Sequence, residues 1–432
     1  MGIADKPEGR TMSVGRFLAS LLGLGALGFL LFACEDVETD REAEAVSVQT
    51  VGDTTVVTTR RPATLDTARL TRTARIGRGD TPGDFLLMGV SAFTVGWRGE
   101  VYVAGEGIRV FSPDGAEVRR IASSGQGPGE VENVTGMEVD GLGRLLALDL
   151  ENQRVATFDT SGAFLAHWPL PHDRLLYGRQ AVVPIPGHET LVGIHPPVLP
   201  GGSGFPRPIF LRLDSAGGIQ DTLFAPPRFR KGCTPDDPHF QGGLWRDFRE
   251  PMFPKLKWTA GRTGAIVYGC PSEYVVDRLQ PDGSLLRIVH QREPMVEPPE
   301  VRSSFVEVYE IFNSRGGNDW SWRGPEPPEQ KPYYHRLIVG RHGRLWVWPG
   351  HLRQPVPNPM PPFSEVWVDP RTGTFDVFDV DGHFLGPVQL PEGMTYRWHP
   401  GTQAPFFAGD TVWMVRQDSL NVHYIDRMEI QW

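Results

Sequence analysis

Sequence motifs for catalysis and for metal binding are scarce in this chain of 432 residues. It has no Gly-x-Ser-x-Gly elbow, no His-Glu-x-x-His pattern and no Cys-x-x-Cys pair. The twelve histidines are scattered, and there are only six asparagines. These absences remove the usual signatures of a serine hydrolase, a zinc enzyme and a dithiol redox protein. We therefore predict no catalytic, cofactor-binding or metal-binding residues, and no cofactor.

Positive charge is also in short supply. The chain has 43 Lys and Arg residues against 52 Asp and Glu, which gives a net charge of −9 at pH 7. Nucleic-acid binding relies on a basic surface, so we predict no nucleic-acid partner. Beyond the first 33 residues no apolar run is long enough to span a bilayer, so no second transmembrane segment is expected.

The one long apolar run lies at the N-terminus. Basic residues precede the uncharged stretch 17–32, which is the layout of an export signal. It ends in Leu31-Phe32-Ala33-Cys34, which resembles the lipobox of bacterial lipoproteins. The resemblance implies a signal peptide over 1–33 and lipidation of Cys34, which would anchor the exported protein in the lipid bilayer of the cell envelope. The alternative is an uncleaved membrane anchor.

Cysteine is rare, with three residues in all. Once Cys34 is assigned to lipid, Cys233 and Cys270 remain, and an exported setting permits a disulfide between them. We predict this pairing, and the alternative is two unpaired buried thiols.

Glycine and proline, by contrast, are abundant, with 50 and 40 residues. Without a collagen period they indicate many turns between short strands. One unit shows the plan: the turn 125–130 is followed by four apolar runs at 134–139, 145–148, 154–159 and 163–168. An earlier copy begins at Ile76, with its proline 46 residues before Pro128. A period of about 40–50 residues with four strands per unit is typical of a β-propeller blade.

Weaker copies follow, and the count predicts an all-β fold: a six-bladed β-propeller over 63–432 with four-stranded blades. The last copy lacks room for a fourth strand, so residues 46–59 or 64–76 are expected to complete it. Residues 34–62 are predicted to be a tether that follows the lipidated cysteine and could include this ring-closing strand. Two insertions are predicted at 226–258 and 294–332, and the second contains a short helix at 299–312. Long loops on a rigid scaffold are common seats of function.

The Gly-Gln-Gly-Pro-Gly-Glu turn, the Asp-Gly-x-Gly-Arg-Leu strand and the Arg-Val-x-x-Phe-Asp-x-x-Gly strand resemble NHL repeats. The chain from about residue 64 is similar to exported six-bladed β-propeller lipoproteins of bacteria. This resemblance implies the propeller fold. It implies no single activity, because related propellers serve as binding platforms, lyases and lactonases.

The functional prediction is a membrane-anchored, monomeric propeller that acts as a binding or scaffold module for a protein or small ligand. The alternative is a metal-dependent hydrolase or lyase at the channel mouth, resembling lactonases, and a third option is a structural envelope component. Glu138, Asp140 and Asn133 are the best local candidates for metal ligands, although strand-end or turn-capping roles account for them better. Trp245, Trp320 and Trp322, which lie in the insertions, are candidate ligand contacts.

Overall fold

A computed structural model describes residues 46–61, 66–77, 87, 89–171, 182–194, 209–223, 233, 254, 256–314, 326–349, 354–357, 365–368, 374–391, 405–417 and 422–432. The signal 1–33, Cys34, most of the insertion at 226–258 and the three tryptophans Trp245, Trp320 and Trp322 lie outside the described residues.

The described chain is almost entirely β-structure. It opens with three strands: β1 (Val46–Val51), β2 (Thr54–Arg60) and β3 (Ala68–Ile76). Three four-stranded antiparallel sheets follow in chain order. Sheet 1 comprises β4 (Ala92–Val95), β5 (Val101–Gly105), β6 (Gly107–Phe111) and β7 (Glu117–Ala122). Sheet 2 comprises β8 (Val134–Val139), β9 (Leu145–Asp149), β10 (Arg154–Phe158) and β11 (Phe164–Pro169). Sheet 3 comprises β12 (Val182–Ile185), β13 (Glu189–Ile194), β14 (Ile209–Leu213) and β15 (Ile219–Leu223).

The N-terminal strands join two of the later sheets. Sheet 4 comprises β16 (Lys257–Ala260), β17 (Ile266–Gly269), β18 (Val275–Leu279) and β19 (Leu285–Gln291), and it is followed by helix α1 (Pro299–Ser314). Strand β2 pairs in parallel with β19, and β1 pairs with β2, which extends this sheet to six strands. Sheet 5 comprises β20 (Tyr334–Val339), β21 (Leu345–Pro349), β24 (Thr374–Phe378) and β25 (Phe384–Gln389), with the separate hairpin β22 (Gln354–Pro357) and β23 (Glu365–Val368) between β21 and β24. Sheet 6 comprises β26 (Phe406–Ala408), β27 (Thr411–Gln417) and β28 (His423–Gln431), and β3 is its fourth strand.

Among the described residues, six hydrophobic clusters lie between successive sheets. Strand β9 shows how alternation feeds two of them: Leu145 and Ala147 pack towards sheet 1, whereas Leu146 and Leu148 pack towards sheet 3. The other clusters join sheet 3 to 4, 4 to 5, 5 to 6 and 6 to 1. Each fully buried Leu contributes about 2 kcal/mol of burial free energy, so every sheet depends on both of its neighbours.

The two ends of each sheet are connected differently. Eleven turns join a first strand to a second, or a third to a fourth, and nine of them have five residues. We call this the short-turn end. The opposite end, called the long-connection end, carries every connection of more than ten residues between described strands, including 224–256, 292–333 and 350–373.

The short turns owe their shape to glycine at the fourth position. In 159–163, Gly162 has φ +91° and donates to the carbonyl of Asp159, while the Asp159 carboxylate accepts the amides of Ser161 and Ala163. A Cβ at Gly162 would also collide with Ile121 of sheet 1. Gly162 is therefore required both by its turn and by the fit of sheet 2 against sheet 1.

The prediction of an all-β fold built from four-stranded units is confirmed, and so is the helix from Pro299, which runs two residues further than expected. Of the two segments expected to complete the last sheet, 68–76 does so, whereas 46–60 extends sheet 4. Strands β12, β22 and β23 were not anticipated, and β16 begins inside the insertion predicted at 226–258.

Candidate functional site

Three short turns of the innermost strands share the pattern Gly-x-x-Gly. They are 96–99 in sheet 1, 261–264 in sheet 4 and 340–343 in sheet 5. In each, the last glycine has φ between 84° and 86° and donates to the carbonyl of the first. The second position of these turns holds Trp97, Arg262 and Arg341, so three large side chains meet at one mouth of the space between the sheets.

Glu138, near the end of β8, is the acid around which they gather. Its carboxylate accepts a hydrogen bond from the Arg262 guanidinium and one from Thr94 Oγ1 at 3.3 Å. Arg341 Nη2 lies 4.0 Å from the same carboxylate oxygen. Two positive groups therefore surround one negative group, and each comes from a different sheet.

Arg341 is the most enclosed member of the group, with a side chain 5% exposed. It donates to the carbonyls of Val95 and, at 3.1 Å, Gly96. Its guanidinium carbon lies 4.7 Å from the Trp97 ring centroid and 4.5 Å from that of Phe406. Burial lowers the pKa of Arg341 to about 10, against the opposing effect of Glu138, so the group stays charged at neutral pH.

Trp97 covers the two arginines from outside. Its indole N–H donates to the Asp140 carbonyl at 2.9 Å, and Arg262 lies 5.2 Å from its ring. The side chain is 53% exposed. We name Trp97, Glu138, Arg262 and Arg341 the mouth cluster. Its hydrogen bonds and cation–π contacts tie sheets 1, 2, 4 and 5 together.

A cavity of about 60 Å³ lies beside the mouth cluster. Residues from the innermost strands of all six sheets line it, including Phe93, Met137, Val183, Ala260 and Ile338. A space of this size holds a few water molecules.

The acids singled out in the sequence have structural partners. Both Asp140 carboxylate oxygens are engaged, Oδ1 by the amides of Leu142 and Arg144 and Oδ2 by Arg144 Nε at 2.8 Å. Asp140 thus caps its own turn, as the turn-capping interpretation predicts. Asn133 is exposed, and its backbone amide donates to Asp149. The structure does not bring these residues together as a ligand set around Glu138.

The arginines and Trp97 of the mouth cluster were not singled out in the sequence. One signal could have found them: when the Gly-x-x-Gly turns of the repeats are aligned, Trp97, Arg262 and Arg341 fall at the same position. Residues at equivalent positions of successive sheets meet at the axis of a ring.

A second polar group is buried between sheets 4 and 5. Thr59 Oγ1 lies 3.0 Å from His290 Nδ1, and both residues are at most 5% exposed. The Tyr274 hydroxyl donates to Asp376 at 2.6 Å, and Arg292 donates to the same oxygen at 3.0 Å. Burial lowers the pKa of His290 to about 4, with Arg292 contributing, and burial raises the pKa of Asp376 despite Arg292.

Asp379, Asp381 and His383 also approach one another, with one ligand atom from each within 4.8 Å of the others. They form the five-residue turn between β24 and β25. The Asp379 carboxylate accepts the amides of Asp381 and His383 and lies 3.1 Å from His383 Nδ1. Asp159 caps the equivalent turn of sheet 2 in the same way. The geometry of the turn therefore explains why Asp379, Asp381 and His383 lie close together.

Cys233 and Cys270 are buried, with Cα atoms 5.6 Å apart. This separation is within the range that a disulfide spans. Cys270 directly follows β17, at the long-connection end of sheet 4.

No protein-family model matches the chain, and no curated protein matches it. Among solved structures it is similar to a member of the DUF4221 family from Bacteroides vulgatus, at 12% identity over 84% of this chain and 99% of that one, with a TM-score of 0.49. It is similar to a candidate exported protein from Bacteroides fragilis, at 12% identity over 87% and 100%, with a TM-score of 0.46. It is also similar to virginiamycin B lyase from Staphylococcus aureus, at 12% identity over 82% and 98%, with a TM-score of 0.38. Likeness at this level carries no argument about activity.

Within the described residues, no helix has both the length and the apolar character that crossing a bilayer requires.

Proposed function

We propose that the chain is an exported six-bladed β-propeller, anchored to the cell envelope through Cys34, that binds a protein or small-molecule partner at its long-connection end. The blade count is supported by the six hydrophobic clusters, because the last of them joins sheet 6 back to sheet 1. The lipobox-like Leu31–Cys34 supports the anchor.

The distribution of connections carries the binding proposal. Every connection of more than ten residues between described strands, including both predicted insertions, lies at the same end of the sheets. The base of the second insertion is fixed by a buried pair, with Lys331 Nζ 3.4 Å from Glu297 Oε1, and by the bridge between Val296 and Gln330. A rigid scaffold with its variable segments gathered at one end is a common design for recognition.

The opposite end gives little support to the hydrolase or lyase alternative. A metal-dependent reaction there needs carboxylates that are free to bind a cation. Glu138 is held by Arg262 and Arg341, and Asp140 is occupied by its own turn. A non-covalent binding module needs no such set, so it is the function that the geometry supports best.

Site-specific photo-crosslinking in intact cells tests this assignment. A photoreactive amino acid replaces Glu132 or Gln330, which are exposed at the long-connection end, or Ser161 or Asp282, which are exposed in short turns. We expect a discrete adduct from the first pair and none from the second. Equal labelling from both pairs, or none from either, would contradict the assignment. In the same cells, the parent chain should be recovered with membranes and the Cys34→Ala chain should not, which tests the anchor separately.

A further inference from the structure

Strand β1 is the outermost strand of the extended sheet 4, and it is open to solvent. Among the described strands it has one neighbour, β2. Five of its six residues are exposed, with Val48 at 54% and Val51 at 74%. The pairing with β2 is regular over all six residues, without a bulge. The backbone is therefore a straight template for another strand.

The hairpin geometry determines which backbone groups point outward. A two-residue turn, Gly52-Asp53, joins the strands, and Val51 pairs with Thr54. In such a hairpin the closing pair is hydrogen-bonded and the pattern then alternates along the ladder. Val51, Gln49 and Ser47 thus bond to β2, and the N–H and C=O groups of Val46, Val48 and Thr50 face away from it.

Other outermost strands carry features that discourage strand addition. Strand β7 has Glu117, Arg119 and Arg120, and β15 has Asp221. Strand β11 ends at Pro169. The outer edges of sheets 5 and 6 pair with each other through β25 and β3. Charge and proline are the usual guards of such edges, and β1, with the sequence Val-Ser-Val-Gln-Thr-Val, has neither.

We propose that β1 pairs with β1 of a second copy of this chain, in antiparallel orientation, with Val48 opposite Val48 of the other copy. In this register Val46 faces Thr50, so all three outward-facing residues of each strand are hydrogen-bonded. This interface would make a dimer from a chain expected to be a monomer.

A second copy fits this edge for two reasons. The strand has no charge, so like charges do not oppose each other when it meets itself. The antiparallel contact is also isologous, so it closes at two copies and does not propagate.

Cysteine crosslinking of the full-length chain in detergent micelles tests the proposal. Val48→Cys places a thiol at the proposed two-fold axis. Val118→Cys is the matched control, since Val118 is 55% exposed on the guarded strand β7. A short bifunctional thiol reagent is expected to link Val48→Cys chains into dimers and to leave Val118→Cys chains at the background of the parent protein.

Sedimentation equilibrium gives the second readout. Val48→Lys sets two ammonium groups against each other and is expected to weaken dimerisation by at least about tenfold, whereas Val118→Lys should have no effect. Hydrogen exchange at β2 shows whether the hairpin of Val48→Lys stays folded. If it does not, the crosslinking result decides the proposal. Val48→Thr is expected to dimerise as the parent does, which shows that position 48 tolerates replacement by an uncharged residue. Equal crosslinking of the two cysteine variants, or a parent chain that is monomeric at every concentration and gives no Val48→Cys dimer, would overturn the proposal. Crosslinking of Val48→Cys in membranes to a different protein only would also overturn it.

Discussion

The short-turn end and the long-connection end of the sheets differ in how they are held together. At the short-turn end, nearly every connection has five residues. The mouth cluster adds two arginines there, which contact buried carbonyls and the Glu138 carboxylate. At the long-connection end, the segments are long, and the described contacts include two cysteines and a buried group containing His290, Tyr274 and Asp376. At one end the connections repeat the same local turn from sheet to sheet, and at the other they differ in length from sheet to sheet.

Under the proposed function, this difference separates the turns that stabilise the sheets from the segments that would bind a partner. A short turn can be specified by glycine and a capping acid within five residues, so it recurs in sheet after sheet. A long connection is free to vary without disturbing the sheets, because it leaves the ladders intact. The comparison predicts that changes at the mouth cluster reduce stability, whereas binding changes arise at the other end.

Arg341→Ala is expected to have the largest effect. It removes a buried guanidinium, takes one hydrogen-bond donor away from each of the Val95 and Gly96 carbonyls, and opens a gap between Trp97 and Phe406. We expect a loss of about 4 kcal/mol in the free energy of unfolding, measured by urea denaturation at pH 7.

Arg344→Ala is the matched control for this change. Arg344 is the last residue of the same turn, three positions after Arg341, and pairs with Asp410 at 2.6 Å, but Asp410 is 58% exposed. Exposed pairs contribute under about 1 kcal/mol. If both variants lose the same stability, the mouth cluster does not hold this end together and the comparison fails.

The proposed disulfide between Cys233 and Cys270 is the second test, at the opposite end. It would close a loop with a sequence separation of 37. Reduction is expected to cost about 3 kcal/mol, mainly by releasing the unfolded chain from this constraint. Urea denaturation with and without reductant measures the effect, and the variant with both cysteines replaced by serine should show no dependence on reductant. Mass mapping under non-reducing conditions that finds free thiols at both positions would refute the bridge.

The repeated turns and most strands could be predicted from the sequence, because their determinants are local. Strand β8 was predicted with its observed bounds, since alternation and the flanking turns mark it. Strand β12 was missed because Pro184 lies within it, and proline normally argues against a strand inside a sheet. Strand β16 was missed because it has only four residues, two of them polar, and its strand conformation depends on pairing with β17.

The candidate site could be predicted only in part, for a physical reason. The sequence marks Glu138 as an acid on an innermost strand. Whether its carboxylate is free or paired depends on Arg262 and Arg341, which are 124 and 203 positions away in the chain. Those side chains meet Glu138 only because the sheets stack around a common space. The charge balance of the site, with two cations for one carboxylate, is therefore a property of the assembled sheets.

The third test uses acid, and it bears on the comparison because His290 and Asp376, the buried groups it addresses, belong to the long-connection end. The pKa of His290 is lowered to about 4 in the folded chain, against an ordinary value of 6.5 in the unfolded chain. Between these values the unfolded chain binds more protons, so stability is present above pH 6.5 and is lost as the pH falls towards 4. By linkage the loss between pH 7 and pH 5 is about 2 kcal/mol. Asp376, whose pKa is raised by burial, contributes with the opposite sign.

His290→Asn should remove this slope, because the group that gains a proton on unfolding is gone, while Asp376 stays in both proteins. His383→Asn changes a half-exposed histidine in a short turn and should leave the slope of the parent protein unchanged. Urea denaturation at pH 7, 6 and 5 gives the three slopes. If His383→Asn flattens the curve as much as His290→Asn does, acid sensitivity is not confined to the long-connection end. A flat parent curve together with a His290→Asn variant that gains stability as the pH falls would mean that Asp376 offsets His290. Curves that are flat in both proteins would mean that water reaches His290 in the folded protein.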